Sequence, residues 1–202
     1  MCKGQLMKIT RKQRNYLIAM SIGDGYIDKG GNIVIWHCMA QEAYVRYKYS
    51  LVSSLVTKAG IQYRDSKIGQ PQVGFVIRTS KFTKLLRKVL YPNGVKTITR
   101  KILNRLDAEC FALWWMDDGS CSYVYYKPTG NLRSTISTLS TCVGREENQV
   151  ILDWILDKFG VQFGQRKMKN HFALTCRMRQ GRLLANVLSD YIIPTMKYKL
   201  SI

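Results

Sequence analysis

The amino-acid sequence predicts an α+β fold in which one unit, α-β-β-α-β-β-α, occurs twice in tandem. Three pairs of similar segments point to this duplication, in the same order in each half: Asp24-Gly25 and Asp118-Gly119, Ala59–Tyr63 and Phe159–Phe163, Tyr91-Pro92 and Ile193-Pro194. The offset between the members of a pair drifts only from 94 (118 − 24) to 102 (193 − 91), which is typical of a repeat. We expect residues 1–96 to form the first unit, 97–106 a helical connector, and 107–202 the second unit.

The first unit contains three apolar helix-like runs separated by two hairpins. We expect these five elements at Arg11–Ile22, Gly25–Cys38, Glu42–Lys58, Ile61–Thr79 and Lys81–Leu90. The turn of the first hairpin is Lys29-Gly30-Gly31-Asn32, whose glycines supply the backbone freedom that a tight turn requires. Gly60 is expected to end the middle helix as a left-handed cap.

The second unit repeats this layout, with a longer first hairpin that carries an insertion near residues 123–133. Its elements are expected at Asp107–Met116, Cys121–Cys142, Glu146–Phe159, Val161–Met178 and Gly181–Tyr191. Gly160 is the expected cap of its middle helix. Four strands in each unit predict two antiparallel sheets, each covered by helices on one face and open on the other.

The charge of the chain indicates its partner. The 202 residues include 32 Lys and Arg against 13 Asp and Glu, a formal net charge of +19 that is spread along the sequence. Nucleic acid is the expected partner because Lys and Arg release counterions when they neutralise phosphates. The alternative is a merely soluble basic protein, although a net charge of about 2 to 8 suffices for solubility.

Composition excludes several other classes. Hydrophobic residues make up 46% of the chain, so a substantial core is expected rather than disorder. The sequence has no run of about 18 apolar residues, and we therefore expect no membrane span. The six cysteines form no Cys-x-x-Cys pair and the chain has two histidines, which argues against a structural zinc site or a disulfide framework. An intracellular, reducing compartment is expected.

An acid ends each of two apolar runs, Leu17–Gly25 and Phe111–Gly119, at Asp24 and Asp118. A carboxylate is disfavoured at the C-terminal end of a buried helix, since the helix dipole is negative there and apolar surroundings do not solvate charge. A compensating cation is therefore expected, and two such acids brought together would make a divalent-metal site beside nucleic acid. The alternative is that both acids are ordinary turn residues.

Basic residues on or near the predicted strands are candidates for DNA contact. They are Arg64, Lys67, Arg78, Arg133, Arg166, Lys167, Lys169, Arg177 and Arg179. A two-stranded ribbon fits the major groove, where Arg and Lys read guanine edges. The alternative is that these are ordinary solvated strand positions.

The motifs Trp114–Ser120 and Ile193–Leu200, together with the duplication, resemble those of the LAGLIDADG homing endonucleases in their single-chain, two-motif form. The resemblance covers the chain from about Tyr16 to Leu200. It implies a pseudo-twofold monomer whose motif helices pack side by side at the centre and bring Asp24 and Asp118 together above the minor groove. The two sheets would form a saddle along the major groove. Such enzymes cut both strands of a long double-stranded DNA site using Mg²⁺, and Mn²⁺ or Ca²⁺ would occupy the same sites.

The resemblance also implies roles for other residues of the site. The backbone carbonyls of Gly23 and Asp117 are candidate metal ligands beside the two acids. The Asp117 side chain, which Gly23 replaces in the first half, is either a turn residue or one that tunes the metal. Lys96 and Lys199 stand at matching points of the two halves and would stabilise phosphate charge or polarise the attacking water. The alternative for both lysines is a non-specific phosphate contact or an ordinary surface position.

Polar residues that order water near the acids are expected at Cys38 and Gln41 in the first half and at Cys142 in the second. Family members often carry glutamine near the position of Cys142, and cysteine is a weak hydrogen bonder. Unequal cleavage of the two strands is the resulting hypothesis.

Three functions follow from the resemblance. The leading one is a site-specific DNA endonuclease; the second is a maturase, an RNA-binding cofactor of intron splicing; the third is a non-cleaving DNA-binding regulator. Bacterial or phage-host cytoplasm, or an organelle matrix, is the expected location.

Overall fold

The computed structural model describes residues 8–65, 69–168 and 172–200. In the first half, three helices are observed at Arg11–Ile22 (α1), Glu42–Val52 (α2) and Lys81–Leu90 (α3). Four strands are observed at Tyr26–Ile27 (β1), Ile33–Cys38 (β2), Gln62–Arg64 (β3) and Gln72–Ile77 (β4). They form one antiparallel sheet of order β1-β2-β4-β3. The connector contains a single turn of helix, Arg100–Leu103 (α4).

The second half repeats this arrangement. Its helices are Ala108–Asp118 (α5), Arg145–Phe159 (α6) and Met178–Leu188 (α7). Its strands are Gly119–Tyr125 (β5), Leu132–Leu139 (β6), Gly164–Lys167 (β7) and Phe172–Arg177 (β8). The sheet order β5-β6-β8-β7 matches that of the first half, which confirms the α+β fold with two antiparallel sheets. The longer hairpin β5–β6 carries the extra length of the second unit.

Alternation along the strands separates a covered face of each sheet from an open face. In β2, Ile33, Ile35 and His37 are buried, while the intervening side chains, including Trp36, are only partly buried. Helices pack over the buried side: α2 contacts β2 and β4, and α6 contacts β8. Within the described residues, no helix packs on the opposite face of either sheet, as predicted.

The motif helices α1 and α5 pack against each other at the centre of the molecule. The segments Tyr16–Ile22 of α1 and Cys110–Asp117 of α5 are buried throughout, and Leu17, Ala19 and Met20 are 0% exposed. Trp114 and Trp115 of α5 are also 0% exposed and join an aromatic cluster with Phe111 and Trp154. The two tryptophans are therefore core residues.

The middle helix of the first half is shorter than predicted. It ends at Val52 and not at residue 58, because the chain turns through a 3₁₀ segment, Ser53–Leu55, to pair with strand β4. Val56 forms an isolated antiparallel bridge with Ile77. Gly60 has a left-handed backbone, φ +62°, but it belongs to a later turn, so its prediction as the helix cap was wrong. Gly160, with φ +66°, does cap α6 as predicted.

Several other boundaries differ from the prediction by a few residues. Helix α5 continues through Asp118, because the chain passes directly into β5 at Gly119. Helix α7 begins three residues earlier than Gly181, at Met178. In the part of the chain that is described, no helix combines the length and apolar character required to cross a membrane.

Candidate active site

The two motif helices run parallel and in register, so their C-terminal ends meet. Near their N-terminal ends the Tyr16 hydroxyl donates to Glu109 Oε1 at 2.6 Å. At their C-terminal ends the Asp24 amide donates to Asp117 Oδ2 at 3.2 Å. Both contacts join residues 93 positions apart (109 − 16 and 117 − 24). Parallel packing places two negative helix termini, and the acids that follow them, in one small region.

Asp24 and Asp118 lie at this junction. Asp118 is partly buried and accepts a hydrogen bond from Trp114 Nε1 at 2.9 Å. Asp24 is more open, with a side chain that is 43% exposed. Burial raises the pKa of Asp118 to about 7, helped by the negative charges of Asp117 and Asp24. Burial and the charge of Asp117 also raise the pKa of Asp24, against the lysines around it. The two predicted acids are therefore brought together and lack a full complement of positive charge.

Lys96 and Lys199 cap the two motif helices in matching ways. Lys96 Nζ donates to Gly23 O at 2.9 Å and to Ile22 O at 3.3 Å. Lys199 Nζ donates to Asp117 O at 2.8 Å and to the preceding Met116 O at 2.6 Å. Burial lowers the pKa of both ammonium groups, while the nearby carboxylates raise it. Each lysine thus neutralises a helix end within reach of the acids.

The contacts of Lys96 and Lys199 involve the same backbone carbonyls that are predicted as metal ligands. The oxygens of Gly23 and Asp117 each accept from a lysine, so a metal ion there would share an oxygen with an ammonium group. Lys199 is itself held by the core, since its carbonyl accepts from Trp115 Nε1 at 3.0 Å.

The Asp117 side chain is neither an open turn residue nor a free ligand. It is 0% exposed, and its Oδ1 accepts from Lys48 Nζ at 2.5 Å and from the Tyr44 hydroxyl at 2.8 Å. Its Oδ2 accepts from the amide of Asp24. Both oxygens of this second-half acid therefore have donors from the first half.

Gly23 provides the space for this carboxylate. A Cβ at position 23 would lie 2.3 Å from Asp117 Oδ2, well inside van der Waals contact. The difference between Gly23 and Asp117 at matching positions of the repeat thus has a steric reason.

His37 completes the buried group. Its Nε2 lies 3.0 Å from Lys48 Nζ and its Nδ1 lies 2.9 Å from Gln41 Oε1. Because an ammonium can only donate, Nε2 is the acceptor and Nδ1 carries the proton that is donated to Gln41. Burial and the Lys48 charge lower the pKa of His37 to about 4, so the ring is neutral at pH 7.

Asp24, His37 and Asp117 also have the spacing of a metal site, with one ligand atom from each within 4.8 Å of the others. Lys48 is the cation of this group instead. Its ammonium contacts both His37 and Asp117, and both ring nitrogens of the histidine are engaged. The group is therefore a structural ion pair beside the two acids.

The predicted water-ordering residues are placed differently from one another. Gln41 is committed to His37, and Cys38 lies at the end of β2 on the open face. Cys142 is exposed and has a left-handed backbone, φ 53°, which is uncommon outside glycine. It lies close enough to Lys96 to influence the pKa of that lysine.

The candidate DNA-contacting residues do not all share one surface. Arg64, Arg166 and Arg177 lie on the open faces of the two sheets. Each pairs with a residue of the neighbouring strand that lies on the face opposite the helices. Lys67 and Lys169 lie outside the described residues. Arg64 is preorganised: its guanidinium stacks over Trp36 at 3.9 Å and donates twice to Gln72 Oε1, at 2.8 and 2.6 Å.

The other four candidates depart from the expectation of an open strand face. Lys167 lies on the helix-covered face of its sheet, the same face as Gln165. The side-chain amide of Gln165 donates a hydrogen bond to a backbone carbonyl of α6. Arg133 is the extra residue of a bulge between β5 and β6. Arg78 follows β4 and donates to Ser54 O at 3.1 Å, and Arg179 lies in the first turn of α7.

Sequence reasoning missed Tyr44, Lys48 and His37, although two signals for them exist. The buried stripe of α2 follows the four-residue spacing of a helix face and contains Tyr44, Lys48 and Val52. A lysine therefore occupies a position where an apolar residue is expected. His37 stands in the same alternation as Ile33 and Ile35. A charge on a buried stripe indicates a buried counterion, which the sequence does not identify.

The donor set fits a divalent cation of the Mg²⁺ type. Asp24 and Asp118 offer carboxylate oxygens, the ligands that hard cations prefer, and part of each side chain is accessible. Their raised pKa values show that the folded chain disfavours two bare negative charges here. A bound cation would supply the missing compensation.

We predict that the Asp118 carboxyl titrates near pH 7 in the protein free of metal and DNA, as measured by ¹³C NMR. Since protonation is favoured in the folded state, the contribution of this group to the free energy of unfolding falls as pH rises towards and through 7. Adding Mg²⁺ should lower the midpoint, because the cation competes with the proton.

The reference for this titration is the ordinary value of an aspartate side chain, about 4. An Asp118 midpoint equal to that value, or one that Mg²⁺ leaves unchanged, would contradict the description of the site.

The chain has clear relatives. A profile of the LAGLIDADG DNA endonuclease family matches residues 14–184. The chain is 26% identical over 206 residues to the probable intron-encoded endonuclease 1 of Wickerhamomyces canadensis, an alignment that covers 98% of this chain and 87% of that protein. It is 33% identical over 112 residues to the probable intron-encoded DNA endonuclease 3 of Mycosarcoma maydis, covering 54% of this chain and 76% of that protein.

The fold is also similar to that of a solved structure, the homing endonuclease I-WcaI bound to its DNA recognition sequence. The TM-score is 0.80 at 24% identity, with 98% of this chain and 89% of the other covered. The matched profile spans both motif helices and both sheets. The chain therefore belongs to the LAGLIDADG DNA endonuclease family.

Proposed function

We propose that this protein is a monomeric, site-specific homing endonuclease that makes divalent-metal-dependent double-strand breaks in a long DNA target, with Mg²⁺ as the working ion. The observation that carries the proposal is the junction of the two parallel motif helices. It joins two partly buried acids, Asp24 and Asp118, each near a lysine that caps a motif helix. Family membership and the similarity to a DNA-bound homing endonuclease support the same conclusion.

Asp24 and Asp118 would hold the metal, one acid from each half. When bound, the metal supplies an activated water and stabilises charge on the leaving 3′ oxygen. Lys96 and Lys199 lie within reach of the same region and would stabilise negative charge on a phosphate. Burial lowers the pKa of both lysines, which makes them better able to exchange a proton with water than an ordinary surface lysine.

The open faces of the two sheets would contact the DNA. Arg64 of the first sheet and Arg166 and Arg177 of the second project from these faces. The open face of the second sheet also carries small hydroxyl side chains, including Thr138 and Thr175, which pair across β6 and β8. The faces differ in chemistry, so the two DNA half-sites are expected to differ in sequence.

The intact acid pair favours the endonuclease over the maturase and the non-cleaving regulator. Both acids are retained, and each motif helix ends against a lysine. A protein that only binds nucleic acid would have no use for two acids whose pKa values are both raised by burial and by the charge of Asp117.

We predict that the native protein linearises a plasmid carrying the intron-less version of the gene that hosts this reading frame when Mg²⁺ is present. Asp24→Asn and Asp118→Asn should each reduce the cleavage rate by about 100-fold or more, because each removes a charged metal ligand. Removal of the metal with EDTA should abolish cleavage by the native protein.

Asp190→Asn, a change at an exposed acid that takes part in none of the active-site contacts described above, is the matched control and should cleave normally. Specific binding of the same DNA without any cut in Mg²⁺ or Mn²⁺ would refute the endonuclease and favour the regulator. Faster intron splicing without DNA cleavage would favour the maturase.

We predict that neighbouring cations on opposite faces of β7 contribute unequally to DNA binding. Arg166→Ala should weaken binding of the target duplex by about 1–3 kcal/mol, because this side chain lies on the open face. Lys167→Ala should change it much less, because Lys167 alternates to the covered side. Fluorescence anisotropy in Ca²⁺ measures both, and equal losses would argue against the assignment of faces.

A further inference from the structure

We propose that the buried pair Lys48–Asp117 is a positioning device that holds Asp24 in place from the opposite half of the molecule. This inference rests on the proposed function, since Asp24 is one of the two active-site acids. The pair joins α2 of the first half to the end of α5 in the second half. Both side chains are 0% exposed.

The device reaches Asp24 by two routes. In the first, Asp117 Oδ2 accepts the backbone N–H of Asp24 at 3.2 Å, which fixes the main chain at the acid itself. In the second, Lys48 contacts His37 Nε2 at 3.0 Å, and Nδ1 of the same ring lies 3.6 Å from Asp24 Oδ2. The first route is a hydrogen bond to Asp24 itself, whereas the second is packing, since the Nδ1 proton is donated to Gln41 and 3.6 Å exceeds a hydrogen bond.

The pair has no counterpart at the matching positions of the repeat. The buried stripe of α6, the matching helix of the second half, is uncharged and consists of Asn148, Ile151, Trp154 and Ile155. The motif repeat aligns Asp117 with Gly23. One side of the pseudo-twofold thus carries a lysine and an acid, while the other carries an uncharged helix stripe and a glycine.

Stability alone does not account for the pair. Removing two charges from water costs more free energy than a single ion pair usually returns, and apolar side chains of similar size often serve as well. The second half shows that the matching helix of this fold packs with an uncharged buried stripe. An ion pair also fixes the orientation of the side chain. The hydrogen bond from Lys48 to Oδ1 holds the Asp117 carboxylate in one orientation, in which Oδ2 accepts the amide of Asp24.

The positioning is one-sided. Asp24 is gripped by the buried pair, whereas Asp118 is held by Trp114 of its own helix. Loss of the pair should therefore disturb Asp24 much more than Asp118. The two DNA strands should then be cut at unequal rates, with a nicked intermediate that accumulates before the second cut.

The test is the double variant Lys48→Met/Asp117→Asn, which removes both charges together and leaves no lone buried ion. We expect it to fold and to bind the duplex in Ca²⁺ with a Kd within about threefold of native. Its cleavage rate in Mg²⁺ should fall at least about tenfold, with nicked plasmid accumulating. Ile151→Met, on the buried stripe of the matching helix α6, is the control for altered packing and should cleave at the native rate.

A second measurement does not depend on cleavage. In the free protein, the ¹⁵N order parameter of the Asp24 amide should fall from the rigid range, about 0.85, towards the flexible range, below about 0.6, in the double variant. The Asp118 amide should keep its native value. Lys48→Met alone should be less stable than the double variant, because it leaves the Asp117 carboxylate buried without its cation.

The outcomes separate this inference from the proposed function. If the double variant cleaves within twofold of native and the Asp24 amide stays rigid, the pair is merely structural and the inference is wrong. If the native protein cleaves no DNA, the proposed function is wrong, and the order parameters still decide whether Lys48 and Asp117 position residue 24.

Discussion

The parallel contact between α1 and α5 is the constraint on which the rest of the site depends. It brings two helix C-termini together inside the protein, where each terminus is already negative and each is followed by an acid. Among the described residues, three lysines partly neutralise this negative charge. Lys96 and Lys199 donate hydrogen bonds to the terminal carbonyls of the two helices, and Lys48 pairs with Asp117. The acids that remain underneutralised are Asp24 and Asp118, whose raised pKa values mark where a metal ion would bind.

The pseudo-twofold symmetry of the fold is broken at the active site, where the C-terminal ends of the two motif helices meet. Gly23 leaves the space that the Asp117 carboxylate fills, and this acid from one half is held almost entirely by donors from the other. Asp118 instead takes a hydrogen bond from Trp114 in its own helix. The two acids therefore have different supports and different exposure. A single chain can differentiate its two halves in this way, whereas two identical subunits could not.

The overall fold and the central acids could be predicted from the sequence because their signals are local and repeated. The bounds of α1, α3 and β2 follow directly from apolar periodicity and turn residues. The end of α2 could not be predicted, because the pairing of Val56 with Ile77 overrides the helical pattern. Long-range pairing of this kind depends on the position of a strand that follows later in the chain.

The buried ion pair between Lys48 and Asp117 could not be predicted from the sequence either. Lys48 and Asp117 are separated by 69 residues and meet only because α2 packs beside the end of α5. The faces of the strand cations were likewise ambiguous, since a shift of one residue moves a side chain such as Lys167 to the other side of the sheet.

The most direct test of this account is anomalous diffraction from crystals of the protein bound to its DNA target in Mn²⁺. The account predicts metal peaks at the carboxylates of Asp24 and Asp118, with Asp117 still paired to Lys48. A metal peak on the Asp117 carboxylate in place of the Lys48 ammonium, or DNA bound without metal at the two acids, would contradict it.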